Sequence, residues 1–315
     1  MTDVQDQNVQ PSAPQEGKPR KGMSSGLKRL ITGVILAGTM LVFLLVLRPI
    51  FVQAMDIIAM LFLVAGGLEM RRALKAGGHN VMLSVLIVFD VIVYPLFWFF
   101  HAEGILLAFA LSSAMALVIF TFKHSYTLKD VGFTVFTLMY PSVFVAMIMA
   151  VNLYAGNLLA LFMMIAVPLA SDAFAYFVGS MFGKHKLCPT ISPKKSVEGL
   201  FGGIFGALVA GTAFLLLFDV FHVFDNTPNV GITHLSTHLW ASILLYALLS
   251  VLCMLAGMVG DLVASWIKRQ VGIKDYGRIF PGHGGVMDRM DSVIFCMPVI
   301  YIFFVIYNAV AGAIA

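Results

Sequence analysis

Residues 236–291 read STHLWASILLYALLSVLCMLAGMVGDLVASWIKRQVGIKDYGRIFPGHGGVMDRMD, and the character of the chain changes midway through them. From Ser236 to Leu262 the only charged side chain is Asp261, at the end of the run. About 20 apolar residues suffice to cross a bilayer as a helix, so this half predicts a membrane span. From Ser265 to Asp291 the pattern reverses. Lys268, Arg269, Lys274, Asp275, Arg278, His283, Asp288, Arg289 and Asp291 crowd into a chain that is only 11% charged.

Outward from this junction the apolar pattern repeats. The 315 residues are 60% hydrophobic with a mean hydropathy of +0.94, far from the roughly 45–50% apolar composition of soluble domains. Spans are expected at roughly 30–47, 51–69, 81–100, 104–122, 132–152, 157–180, 199–221, 236–262 and 290–312. The fold class is therefore all-α, a polytopic helical bundle with about nine membrane-spanning helices. Residues 1–29, rich in Gln, Pro, Ser and Gly with a basic end, read as a disordered tail. Residues 30–315 read as one transmembrane catalytic domain, since no soluble domain would fit between such short connections. The first span reads as a retained anchor, because a second follows almost at once.

Lys and Arg set the orientation. With the tail cytoplasmic and the spans alternating, nineteen of the twenty basic residues fall on the cytoplasmic side, Arg48 being the exception. Such a bias is the signature of topology in helical membrane proteins. It puts the N-terminus in the cytoplasm, the C-terminus outside, and loops 181–198 and 265–289 on the cytoplasmic face. An integral protein of a bacterial inner membrane is expected.

Charged side chains within spans are costly and mark candidate sites. Asp172 lies two-thirds along the sixth span, with Tyr176 one turn later on the same face. Asp261, Ser265 and Lys268 form a stripe at i, i+4 and i+7 running from the membrane into the polar segment. Asp288 and Asp291 share a face at the start of the last span. Asp56 and Asp90 lack polar neighbours and read as structural, and Glu69 reads as a local partner of Arg71 and Arg72. In loop 181–198, Lys184, Lys186, Lys194 and Lys195 raise a positive field, and Ser196 suits a helix N-cap. The small-residue spacings Gly199–Gly203 and Gly202–Gly206 predict close helix packing. His234 and His238 have two-ligand spacing but no evident third ligand, so no metal is expected there. The scattered Cys188, Cys253 and Cys296 predict neither disulfides nor a zinc site.

Cations, glycine-flanked amides and spaced carboxylates suit a polyphosphate and its metal ion. There is no GxxxxGK[ST] loop and no nucleophile beside a base, so the pattern points to metal-assisted phosphoryl or nucleotidyl transfer without a covalent intermediate. A lipid acceptor explains why the carboxylates sit at a membrane. A cation or proton transporter relaying through Asp90, Asp172 and Asp261 is the contrasting class. It predicts carboxylates strung across the membrane rather than gathered at one face.

Ser265-x-x-Lys268-Arg269, Lys274-Asp275-x-Gly277, Pro281-Gly282-His283-Gly284-Gly285 and Asp288-Arg289-x-Asp291 closely resemble the signature of phosphatidate cytidylyltransferases. Ser171-Asp172-Ala173-Phe174-Ala175-Tyr176, Gly183-Lys184 and Ser192-Pro193-Lys194-Lys195 through Glu198-Gly199 add to it, with Ser196 where Thr is more usual. The resemblance implies CTP and phosphatidic acid as substrates, CDP-diacylglycerol and pyrophosphate as products, and magnesium, with room for a second cation. An enzyme acting on another lipid phosphate would carry similar motifs. On this reading Asp261, Asp288 and Asp172 hold the metal, and Lys268, Arg269, Lys274 and Arg289 neutralise the triphosphate. His283 and the amides of Gly282, Gly284 and Gly285 line its path. Asp275 completes the catalytic set, while Tyr176, Lys194, Lys195, Ser196 and Ser265 contact substrate. Membrane lipid is an expected partner, nucleic acid is not, and a homodimer is left open.

Overall fold

The structure, a computed structural model, describes residues 35, 38–154, 157–280 and 284–314. The expected tail and the proposed roles of Gly282 and His283 lie outside the described residues. Eight helices and one hairpin follow in order: α1 (Gly38–Ile50), α2 (Ala54–Ala76), α3 (Leu83–Phe122), α4 (Leu128–Leu153), α5 (Asn157–Phe182), β1 (Lys186–Cys188), β2 (Ser192–Ser196), α6 (Val197–Val220), α7 (Leu239–Gln270) and α8 (Met287–Ile314). The chain is an all-α membrane protein in all but the hairpin. Among the described residues six helices, α3 to α8, are long and apolar enough to cross a bilayer. α2 is long but carries Asp56, Glu69, Arg71, Arg72 and Lys75, and the described part of α1 is short.

The third and fourth expected spans both lie within α3, which is not straight. His101 leaves the helical region at φ 54, ψ −135. Residues eight apart on a straight helix are separated by about 12 Å, yet a Cβ on Gly104 would overlap the backbone of Leu96 and Phe97. The chain folds back here, and only glycine fits the crossing. The chain entering α3 also meets the helix that follows its far end: Asn80 N–H donates to Asp130 (2.9 Å) and Met82 N–H to Thr134 (3.0 Å), both at the start of α4. α3 is thus two arms, 83–100 and 102–122, joined by a turn.

Helix contacts are closest between α5 and α6, where the glycine spacing operates as expected. A Cβ on Gly202 would run into Val178, and one on Gly206 into Phe174 and the Ala170 carbonyl. Gly203 faces Ser171 and Met254, which draws α7 against the same pair.

Arg48, the basic residue out of place by charge, is buried. Its guanidinium donates to the side chain (2.9 Å) and carbonyl (3.1 Å) of Asn152 and to the Asn229 carbonyl. Asn152 in turn donates to Asp56 (3.0 Å). Asp56, expected to be structural, is bound with Arg48 into one buried network that ties α1, α2, α4 and the α6–α7 connection together. Buried charge persists only when partnered in this way.

Candidate active site

The end of the bundle opposite Arg48 gathers the carboxylates. Ser196 ends β2 and caps α6, accepting the Gly199 N–H at 3.1 Å. Glu198, in the first turn, accepts the backbone N–H groups of Lys184 and His185 and meets the His185 ring at 2.7 Å. The loop expected over 181–198 is thereby closed into an antiparallel hairpin pairing Lys186 with Ser196 and Cys188 with Ser192. The hairpin swings Lys195 over α7, where its Nζ lies 2.6 Å from Asp261 Oδ2. Ser265, one turn along the predicted stripe, donates to Asp261 Oδ1 at 3.4 Å. On α5, Asp172 accepts from Ser292 at 3.2 Å. Asp291, one position before Ser292, lies within electrostatic reach of Asp261, Asp172 and Lys268.

Beside this group, Lys268 Nζ sits 3.1 Å from Asp288 Oδ1. Asp288 Oδ2 accepts the N–H groups of Tyr276 (2.8 Å) and Gly285 (3.0 Å). Two amides and an ammonium fix the carboxylate in place. Tyr276 is buried, with its hydroxyl donating to the Ala264 carbonyl at 2.9 Å. Burial, then Tyr140 and the charges of Asp288 and Asp291, push its phenol well above its ordinary pKa, so it remains a donor.

Two features of the polar segment were not read from sequence. Glu69 is buried, and its closest partners are not the neighbouring arginines but the N–H groups of Val286 (3.1 Å) and Met287 (2.9 Å), so it caps α8 from α2. Arg71 donates instead to the Val81 carbonyl. Gly277 and Gly285 are glycines because a Cβ on either would overlap the Glu69 carboxylate. Asp291, quoted within the motif but given no role there, stands among the other carboxylates. Its position three residues after Asp288 was the available signal. Glu69 offered only a charge at a helix end.

A cavity of about 400 Å³ opens between α5, the hairpin, α6 and α7, lined by Asp172, Tyr176, Lys194, Lys195 and Ser196. The structure therefore brings Asp172, Tyr176, Lys194, Lys195, Ser196, Ser265 and Asp261 to one place, with Lys268, Asp288 and Gly285 next to it. Arg269, Lys274, Asp275 and Arg289 are exposed, and none of them lines this cavity; Gly284 turns the chain at φ +84. A larger cavity of about 550 Å³ lies between α2, α4 and α7, lined by Leu74, Phe133, Phe136, Ile267 and Val271 without a carboxylate. Of the two cavities, the first is the one lined by a carboxylate.

Asp172, Asp261 and Asp291 offer the oxygen ligands that a hard divalent cation takes, but their carboxylate oxygens do not all lie within 4.8 Å of one another, and Lys195 sits on Asp261. The buried Tyr140 hydroxyl, within electrostatic reach of Asp291 and Asp261, has no hydrogen-bond partner among the described residues. A buried hydroxyl of this kind calls for a water or ion beside it.

Comparison with known proteins places these residues in context. Residues 27–307 match the model of the cytidylyltransferase family. The chain is 34% identical to a phosphatidate cytidylyltransferase of Bacillus subtilis over 289 residues, covering 89% of this chain and 98% of that one. It is 36% identical to one of Mycobacterium bovis over 241 residues, 72% of each. A similar protein of Staphylococcus aureus is 41% identical over 132 residues, 42% of this chain and 44% of that one.

Proposed function

This chain belongs to the cytidylyltransferase family, and on that premise we propose that it joins CTP to phosphatidic acid, giving CDP-diacylglycerol and pyrophosphate. The observation carrying this reading is the meeting of Asp172, Asp261 and Asp291 with Lys195 and Lys268 at one end of a membrane bundle. The lipid phosphate is already anionic at neutral pH and needs no general base. It enters along α5 and the hairpin, where Lys194 and Lys195 line the cavity. One of its oxygens attacks the α-phosphorus of CTP, and the bond to the β-phosphate oxygen breaks. Lys268 and the exposed cations Arg269, Lys274 and Arg289 neutralise the triphosphate and the departing pyrophosphate.

Magnesium would be held by Asp172, Asp261 and Asp291. Asp288, expected from the family signature to be a ligand beside Asp261, is joined to the group through Lys268. Bound there, the ion supplies electrostatic stabilisation of charge building on the phosphates. Lys195 does the comparable work on Asp261 from the protein side, balancing a carboxylate that would otherwise repel the substrate. Asp288 keeps Lys268 aimed, since its own position is set by two amides.

Nine membrane passes are the reading that the turn in α3 supports, with the hairpin and the polar segment cytoplasmic and the enzyme in the bacterial inner membrane. The decisive assay follows pyrophosphate release from CTP by the purified full chain, with and without phosphatidic acid. Release should require phosphatidic acid and magnesium and yield one CDP-diacylglycerol per pyrophosphate. Release that ignores phosphatidic acid, or that occurs only with a different lipid phosphate, overturns the assignment.

A further inference from the structure

At the end of the bundle away from the carboxylates, the connection between α6 and α7 brings together His222, Asp225 and His234. His222 Nδ1 lies 3.2 Å from Asp225 Oδ2, and His234 Nε2 lies 3.4 Å from Asp225 Oδ1. The two imidazole rings stand 4.7 Å apart at 66°. One ligand atom from each residue falls within 4.8 Å of the others, and among the described residues no other such group of three forms. The earlier pairing of His234 with His238 is not made: His238 stacks against Trp240.

These separations are long for charge-assisted hydrogen bonds, which run about 2.7–2.9 Å. The His185–Glu198 pair, at 2.7 Å, shows what a hydrogen bond between these groups looks like in this chain. They suit a different partner. A zinc ion with ligands at about 2.0–2.1 Å in tetrahedral array spaces neighbouring donor atoms about 3.3 Å apart, close to the distance of each imidazole nitrogen from one of the two Asp225 oxygens. His222 adopts φ 53, a region that histidine enters more readily than most side chains. A cavity of about 470 Å³ reaches the cluster past Asp219, Ser236 and Ser242, leaving room for water as a fourth ligand.

We propose that His222, Asp225 and His234 form a site for a divalent transition metal of the zinc class, distinct from the carboxylate site at the opposite end. Two imidazoles and one carboxylate select zinc over magnesium, which prefers all-oxygen sites and octahedral geometry. The ion would fasten the α6–α7 connection, which is also held through the Asn229 carbonyl on Arg48 and the Val230 carbonyl on Leu158 N–H.

The test uses the full chain purified without a polyhistidine tag, stripped with chelator and titrated with zinc sulfate against a chromogenic zinc indicator. About one zinc per chain should bind, and zinc should raise the unfolding temperature even with magnesium in excess. Cobalt in its place should give the strong visible absorption of a tetrahedral centre. His222→Ala and His234→Gln should each weaken zinc binding by more than the about 10–100-fold that loss of a merely outer partner costs. Both should still elute as monodisperse protein. Failure of the parent chain to take up zinc overturns the proposal, as does zinc binding by both variants that matches the parent's. Neither readout depends on the transferase reaction.

Discussion

Glu69 and the two amides it receives are separated by more than 215 positions, yet they fix the start of α8 and with it Asp288. A hydrogen bond to a charged group contributes about 1.5–3 kcal/mol. Glu69→Gln should therefore lower stability by roughly 1.5–3 kcal/mol in a detergent unfolding series and depress turnover with it. An unchanged unfolding midpoint would show that the cap carries no weight. Asp288→Asn keeps the shape but removes the charge that orients Lys268. Turnover should vanish while the variant still inserts and purifies, and near-normal pyrophosphate release would remove Asp288 from the site. Gly285→Ala forces a Cβ into the Glu69 carboxylate, and overpacking of this kind costs about 1–3 kcal/mol.

Among the elements, α6 begins where Ser196 accepts the Gly199 N–H, and the hairpin that carries Lys195 ends at the same residue. Ser196→Ala should cost about 1 kcal/mol, as for other N-caps. The loss should appear first as faster proteolysis of residues 186–196, because the hairpin is exposed and α6 is packed. Much of this layer was legible in the residues. Apolar runs located α4, α5, α6 and α8 within about four positions, while α7 continues eight residues past its expected end at 262; the i, i+4 spacing put Ser265 on Asp261, and the glycine pairs marked close helix packing. What escaped was long-range or conformational. The break expected between residues 100 and 104 falls where α3 turns at His101, but no local pattern said that the two arms would pack so closely that only glycine fits at 104. Nor does any local pattern say that Glu69 will answer Val286 rather than Arg71, because burial chooses the partner and burial is a property of the folded whole.

At the scale of the molecule, the chain has two chemically opposite ends. One gathers carboxylates beneath a lysine-bearing hairpin, and the other holds Arg48 within its buried network and the histidine cluster. A membrane-impermeant thiol reagent separates them. On a background lacking Cys188, Lys186→Cys should react only in inverted membrane vesicles and Asn226→Cys only in right-side-out ones. Labelling of both from one side would refute the orientation drawn from the basic residues. The Glu69 clamp also bears on how the protein is made. Every residue of the family signature lies beyond Ala170, but the ribosome has released Glu69 into the bilayer long before the last helix emerges. A gene fragment encoding Asn157 onward would carry the whole signature and still give an inert product. Supplying the missing N-terminal half as a separate polypeptide should restore activity only if that half retains the glutamate.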